Sequence, residues 1–479
     1  MSDNLPERVD DGRRRRRPSQ ALEEIGGGAV VTREEAQRSQ SNIAAGRSFR
    51  RPEEEFPAWP TILETVRGEF VKSAQGNQQL AERLRQPQSY AEFVAGIINQ
   101  HPEWRVEPAQ MARLTDLLRA YQLGYGPLED YMRLPDLEEI YFNGPDEGFY
   151  IRAGAKHKIT DRIFKGAEDM IEFLKRVATE NGLEINQEKP VLEAPLRDGS
   201  RLNATLPPVA VGSPDFVIRR HREIPFTMED LIRAGTLSAE LARDIGEWVR
   251  GGFNIVVSGG TSSGKTSLLN TIGNHCLPRD DRVLVLETHK ELQIHTEDTK
   301  YFQTREATFR ESGGPRDITM RDLIRSCLRK RPDRIIVGEV RDKDAYYALA
   351  AWNSGHDGSM CTVHADSAPA ALSKLEQLAG QAGELNPEAV RHLIADAVDI
   401  VVQVQRVRGS SQRRVREVIQ VLHPLKHDHL DQASERRRQQ LAQSGQIKTL
   451  RTGLEYMTLY RTQGGRLVKV NEPLAIAKA

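Results

Sequence analysis

Short apolar runs alternate with helical patterns through the second half of the chain: FNIVVS, KTSLLNTIGNHC, RVLVLE, RDLIRSCLRK, RIIVGEV, AYYALAAWNSG and SMCTVH follow in that order. Continuous apolar strands separated by amphipathic helices must be buried on both faces, so the pattern predicts a parallel sheet with helices on either side. Upstream, Met111, Leu114, Leu117, Leu118 and Tyr121 recur at helical spacing and place one apolar stripe on one face of a helix. The segment LEEIYFNGPDEGFYIR holds two apolar and aromatic runs around an Asn-Gly-Pro turn, which reads as a hairpin. GAEDMIEFLKRVATENG then reads as an amphipathic helix closed by Gly182, and a strand-rich stretch runs from about Pro190 to Arg220.

These elements divide the chain into an expected disordered tail at 1–56, a helical region at 57–129 and an α/β domain with its linker at 130–224. A larger α/β domain follows at 225–425, with a C-terminal helix and hairpin at 426–479. Thr227, three residues before Asp230, gives the helix-start signal that opens the larger domain. The tail is mostly charged and small polar residues, too poor in apolar side chains to offset chain entropy. Its run Arg13 to Arg17 reads as a solvated charge block.

Composition narrows the functional classes. The chain has 479 residues, enough for two or three domains, and 68 basic against 68 acidic side chains leave no formal net charge. That balance argues against a surface built as a whole to bind nucleic acid or an anionic membrane. The three cysteines, Cys276, Cys327 and Cys361, lie in no metal-binding spacing, which fits a reducing compartment without structural zinc. The basic start lacks an apolar segment behind it, so no secretory signal is expected. No stretch approaches the roughly 20 apolar residues of a spanning helix.

The sharpest chemical signal is Gly259-Gly260-Thr261-Ser262-Ser263-Gly264-Lys265-Thr266, followed by Ser267. It matches G-x-x-x-x-G-K-[ST] between the apolar strand Ile255 to Val257 and an apolar helix, which is the context a phosphate loop requires. Glycines let the backbone curl so that successive N–H groups face one anion, and the helix N-terminus adds its partial positive charge there. In that role Lys265 reaches the β- and γ-phosphates of ATP and the Thr266 hydroxyl binds Mg²⁺.

Hydrolysis also needs carboxylates outside the loop. Glu287 follows VLVL and Glu339 follows RIIVG, both at the C-terminal ends of predicted strands, where sites on open α/β sheets form. Glu291 and Asp342 are further acids nearby. His356 and His364 flank Gly355, Gly358 and the strand SMCTVH. Taken alone, either histidine reads as a hydrogen-bonded structural residue.

With these residues assembled, the sequence resembles the type II/IV secretion ATPase superfamily, and within it the tight-adherence (Flp-type) pilus branch, which is similar to the hexameric ATPases of conjugative type IV secretion. GYGPL, FNGPD, DGSRLNATLPP, FVIRR, GGTSSGKTS, RPDRIIVGEVRD and GHDGSMCTVHADS occur in the family's order from about Tyr121 to Leu422. The resemblance implies a RecA-like P-loop ATPase core joined to a smaller N-terminal α/β domain, itself preceded by a disordered and then helical extension. It also implies a homo-hexamer, a cytoplasmic location at the inner face of the cell membrane, and an inner-membrane platform protein as partner. The activity implied is ATP hydrolysis driving pilus assembly or protein secretion.

Residue by residue, RVLVLETHKEL resembles the family's aspartate box, so Glu287 is expected near Mg²⁺ and water. RIIVGE resembles its Walker B segment, making Glu339 the expected catalytic glutamate. GHDGSMCTVHA resembles its histidine box and implies that His356 and His364 sense the nucleotide. Arg201 and Arg219 match positions from which the N-terminal domain supplies cations to the phosphates, and Arg305 matches an arginine after the aspartate box. The family's usual Glu-Asp is here Glu287-Thr288, and the four-cysteine zinc module of many type II ATPases is missing. A nucleic-acid translocase or conjugative DNA-transfer ATPase on the same core is the alternative, and a P-loop small-molecule kinase a third. Nucleic acid is not expected as a direct ligand.

Overall fold

A computed structural model describes residues 52–74, 78–84, 86–152, 154–220, 225–305, 317–410, 412–422 and 432–474. Residues 1–51 of the tail expected over 1–56, with its arginine run, lie outside them. The chain forms two compact units, one spanning residues 1–135 with 196–198 and the other the remainder.

The first unit is helical. Helices α1 (Trp59–Ala74), α2 (Pro87–Gln100) and α3 (Met111–Leu123) bury Ile62, Val66, Tyr90, Val94, Leu114, Leu117 and Leu118 in one core. The apolar stripe legible from Met111 to Tyr121 is thus the face that packs. Phe56 joins that core and Pro52–Glu55 is helical, so ordered structure begins inside the segment expected as a tail.

The second unit holds two sheets. Strands β1 (Leu137–Phe142), β2 (Gly148–Arg152), β3 (Ala155–Ile159), β4 (Val191–Pro195), β5 (Arg201–Thr205) and β6 (Asp215–Arg219) form an antiparallel sheet in the order β3-β2-β1-β6-β5-β4. Strands β4, β5 and β6 alternate buried and more exposed residues, as strands of a one-sided sheet do. Helix α4 (Ala167–Glu180) belongs to this layer, and its Phe173 meets Phe164 and Phe216 in an aromatic cluster with Phe142.

The larger sheet contains β7 (Ile255–Gly259), β8 (Arg282–Glu287), β9 (Asp298–Gln303), β10 (Arg334–Val337), β11 (Met360–His364) and β12 (Ile400–Arg406), all parallel in the order β12-β7-β11-β10-β8-β9. Beyond β12 it turns antiparallel: β13 (Arg413–Leu422), β15 (Glu455–Gln463), β14 (Ile447–Thr449) and β16 (Arg466–Lys469) extend it. The parallel sheet expected from the sequence accounts for six of these strands; β13 runs antiparallel because the short connection from β12 leaves room only for a hairpin. The C-terminal hairpin, read from sequence as a separate piece, adds strands to this same sheet.

Adjacent strand residues serve opposite faces. Val256 packs on the side of helices α8 (Met320–Cys327), α9 (Asp344–Trp352), α10 (Ala368–Gly380) and α11 (Pro387–Ala397), whereas Ile255 and Val257 pack with α5 (Met228–Arg233), α6 (Ala239–Arg250) and α7 (Lys265–Cys276). Thr227 caps α5, accepting from the Asp230 amide while the Asp230 carboxylate accepts from the Thr227 amide.

Candidate functional site

Parallel strands end together, and their ends set the site. In register, Gly259 of β7 lies beside His364 of β11, and Val337 of β10 beside Leu286 of β8. The residues following these strands therefore converge on one edge, and Lys265, Glu287, Glu339 and His364 all belong to it.

The loop leaves β7 at Gly259 and enters α7 at Lys265. Ser262 and Gly264 adopt φ of +54° and +94°, a curl in which consecutive amides can face a single anion. At Gly264 any other residue would be strained. The Ser263 hydroxyl is buried with no hydrogen-bond partner among the described residues, and so is that of Ser258 near the end of β7. Lys265 is only 6% exposed, and its ammonium donates to the Gly260 carbonyl at 3.0 Å. Burial pushes its pKa down to about 8, against the opposing pull of Glu339. A buried cation that makes no ion pair with a carboxylate among the described residues, beside unpartnered hydroxyls and a curled backbone, fits a nucleotide's phosphates.

A chain of polar contacts leads from that lysine. Lys265 Nζ lies 3.2 Å from His364 Nδ1, and His364 Nε2 lies 2.8 Å from Glu339 Oε1. Lys265 Nζ also stands 3.3 Å from Nε2, so the partner that decides the tautomer is Glu339: its carboxylate oxygen accepts, the ring proton sits on Nε2 and is donated to it, and Nδ1 is left to accept from Lys265. Desolvation, followed by the charge of Lys265, holds the His364 pKa below its usual value and keeps the ring neutral. On its other oxygen Glu339 accepts from Arg341 Nε at 2.6 Å.

Glu287 is placed differently. It is 4% exposed, and its Oε1 accepts from the amides of Glu291 and Leu292, each at 3.0 Å. Burial raises its pKa to about 7 despite those two bonds. The carboxylate is thus built into the turn 288–292, and the turn carries Glu291 toward Arg201, whose Nη1 lies 3.1 Å from it. Among the described residues no group of acids, cysteines and histidines could enclose a metal ion alone.

Across the loop lies a pocket lined by Arg201, Arg219, Arg220, Thr266, Ser267 and Asn270, with Glu291 and Gln293 at its side. Arg201 begins β5 and Arg219 ends β6, and the two face each other in register. The small sheet therefore presents three guanidiniums above the residues that open α7.

The sequence-derived residues separate here. Lys265, Thr266, His364, Glu339, Arg201 and Arg219 come together, with Glu287 behind them. His356 stands apart: it precedes β11, at the opposite end of the strand from His364, and its Nδ1 lies 2.9 Å from the Ala351 carbonyl in the last turn of α9. Gly358 in the same motif faces Arg334, since a Cβ there would stand 1.9 Å from Nη1, and its φ is +76°. Arg305 pairs its backbone with Ile318. Arg341 and Arg220 went unremarked in the sequence; the signal for Arg341 was its place two residues after a strand-end glutamate, close enough to fold back on it.

Comparison with known proteins gives the same direction. A family model described as "Type II/IV secretion system protein" matches residues 122–470. A probable conjugal transfer protein TrbB of Sinorhizobium fredii is 34% identical over 59% of this chain and 82% of its own length. A conjugal transfer protein TrbB of Rhizobium radiobacter is 36% identical over 50% of this chain and 70% of its own. A crystal structure of the VirB11 ATPase from the Brucella suis type IV secretion system, in complex with sulphate, is 27% identical over 61% of this chain and 91% of that one, with a TM-score of 0.33.

Proposed function

The chain belongs to the type II/IV secretion system protein family, and from that premise we propose that it is an ATP-hydrolysing motor subunit of a secretion, conjugation or pilus machine. The observation that carries this reading is the contact chain from Lys265 through His364 to Glu339, set at the mouth of the phosphate loop and below the arginines of the small sheet.

In this reading the loop amides and Lys265 bind the β- and γ-phosphates, with Gly259 to Ser267 as their bed. Bound Mg²⁺ supplies charge neutralisation on the phosphates, and Thr266 is the residue that would hold it. An arriving γ-phosphate competes with His364 for Lys265, because the ammonium gains more from a charged oxygen than from a neutral imidazole. Glu339 then receives the proton of the attacking water as the new oxygen–phosphorus bond forms and the bond to the β-phosphate oxygen breaks. Arg341 and His364 hold both oxygens of Glu339 and so fix its direction. Arg201 and Arg219 stabilise charge growing on the transferred group. Glu287 supports the turn that carries Glu291, which restrains Arg201.

A ring of six subunits, a membrane platform as partner and a place at the inner face of the membrane go with the family reading. The conjugal transfer relatives support a transfer or secretion machine; the Flp-type branch rests on motif resemblance. The experiment is phosphate release from Mg-ATP by the purified chain and by Lys265→Ala. Loss of release in a variant that keeps its fold supports the reading, and equal release from both proteins contradicts it.

A further inference from the structure

One side chain outside all the motifs touches both the phosphate loop and the small sheet. Arg413 opens β13, and its Cγ lies so close to Gly264 that a Cβ there would stand 3.3 Å away. Its stem is therefore packed against the backbone residue that caps α7. Its guanidinium reaches Glu138, with Nη2 2.9 Å from Oε2. The two residues are 275 apart in sequence.

Glu138 is not an ordinary strand residue. The pairing of β1 with β2 slips between Leu137 and Glu139, so Glu138 sits in a β-bulge, a device that redirects a side chain. Its carbonyl accepts from the amide of Arg220 at 2.8 Å, and the next residue, Glu139, is in register with Arg219. Glu138 thus holds the strand end from which Arg219 and Arg220 enter the pocket.

We propose that Arg413 and Glu138 are a positioning pair that docks the small sheet on the phosphate loop and sets Arg219 and Arg220 over the transferred phosphate. The pair binds no nucleotide itself. Breaking it moves the arginines relative to the loop, so turnover suffers more than nucleotide affinity. The pair is partly exposed, so its contribution to folding is small, whereas a displacement of charge at the reacting phosphate is costly.

The proposal rests on the hydrolytic reading above, and a charge swap tests it. Glu138→Arg, Arg413→Glu and the double swap are compared with wild type for kcat, Mg-ATP affinity and melting temperature. Each reversal is expected to lower kcat about tenfold with affinity within about threefold, and the swap to regain most of the loss, as coupled residues do. Reversals that keep wild-type kcat, or a swap no better than the worse single variant, overturn it. If a reversal fails to fold, Glu138→Gln and Arg413→Gln are used: a double variant no slower than either single supports the pair, and additive losses refute it. A wild-type chain without ATP hydrolysis removes the function reading and this proposal with it, whereas an active wild type indifferent to the swap removes the proposal alone.

Discussion

Nε2 of His364 stands 2.8 Å from Oε1 of Glu339, so the histidine at the end of one strand holds the carboxylate that follows its neighbour. The same ring faces Lys265, which in the proposed reading makes it the joint between the group that binds phosphate and the group that acts on water.

The two histidines of the motif should therefore behave differently. His364→Ala frees Glu339 on one side and is expected to lower kcat by about tenfold to 100-fold with a normal melting curve. His356→Ala removes a bond to the Ala351 carbonyl and should cost about 1 kcal/mol of stability with little change in kcat of the folded protein. Thermal melts beside steady-state kinetics check this; matched kinetic losses in the two variants would refute the distinction.

Lys265 gives the site a proton linkage. Its pKa is pushed down to about 8 by burial, and bound phosphates would restore it. The free protein loses this proton above pH 8 while the complex keeps it, so affinity for Mg-ATP should fall as pH rises past 8, by up to about tenfold per unit. Calorimetric titration at pH 9 in buffers of different ionisation heat should report proton uptake on binding. Binding without uptake would contradict the desolvated lysine.

Glu287 makes the opposite contribution to folding. A carboxyl raised from 4.5 to about 7 favours the protonated folded state, so its share of stability is present at low pH and lost as pH rises from 4.5 through 7. The cost of the ionised form is on the order of 3 kcal/mol. Glu287→Gln should flatten the dependence of stability on pH across that window, measured by denaturant melts without nucleotide. Parallel curves for the two proteins would show that the residue is not desolvated as described.

Much of this was legible in the sequence because the signals are local. Gly264-Lys265-Thr266 declares itself by spacing, and Glu287 and Glu339 by following apolar runs. The histidines did not separate, since only the register of β11 against β7 shows that His364 shares an edge with Gly259 while His356 precedes the strand. Nothing in the sequence reveals that one oxygen of Glu287 accepts from two amides of the following turn. The pairing of Arg413 with Glu138 was invisible for a plainer reason: it joins residues of two different sheets across most of the chain.

The central claim is that Glu339 acts on water in a site that binds ATP through Lys265, and one measurement meets it directly: the saturating hydrolysis rate of Glu339→Gln, with Mg-ATP affinity measured on the same sample. Gln keeps the shape and can still accept a hydrogen bond but cannot take a proton. Near-normal affinity with a rate lowered about 10² to 10⁴-fold is the predicted result. A folded Glu339→Gln protein that binds Mg-ATP and turns it over at close to the wild-type rate would contradict the account.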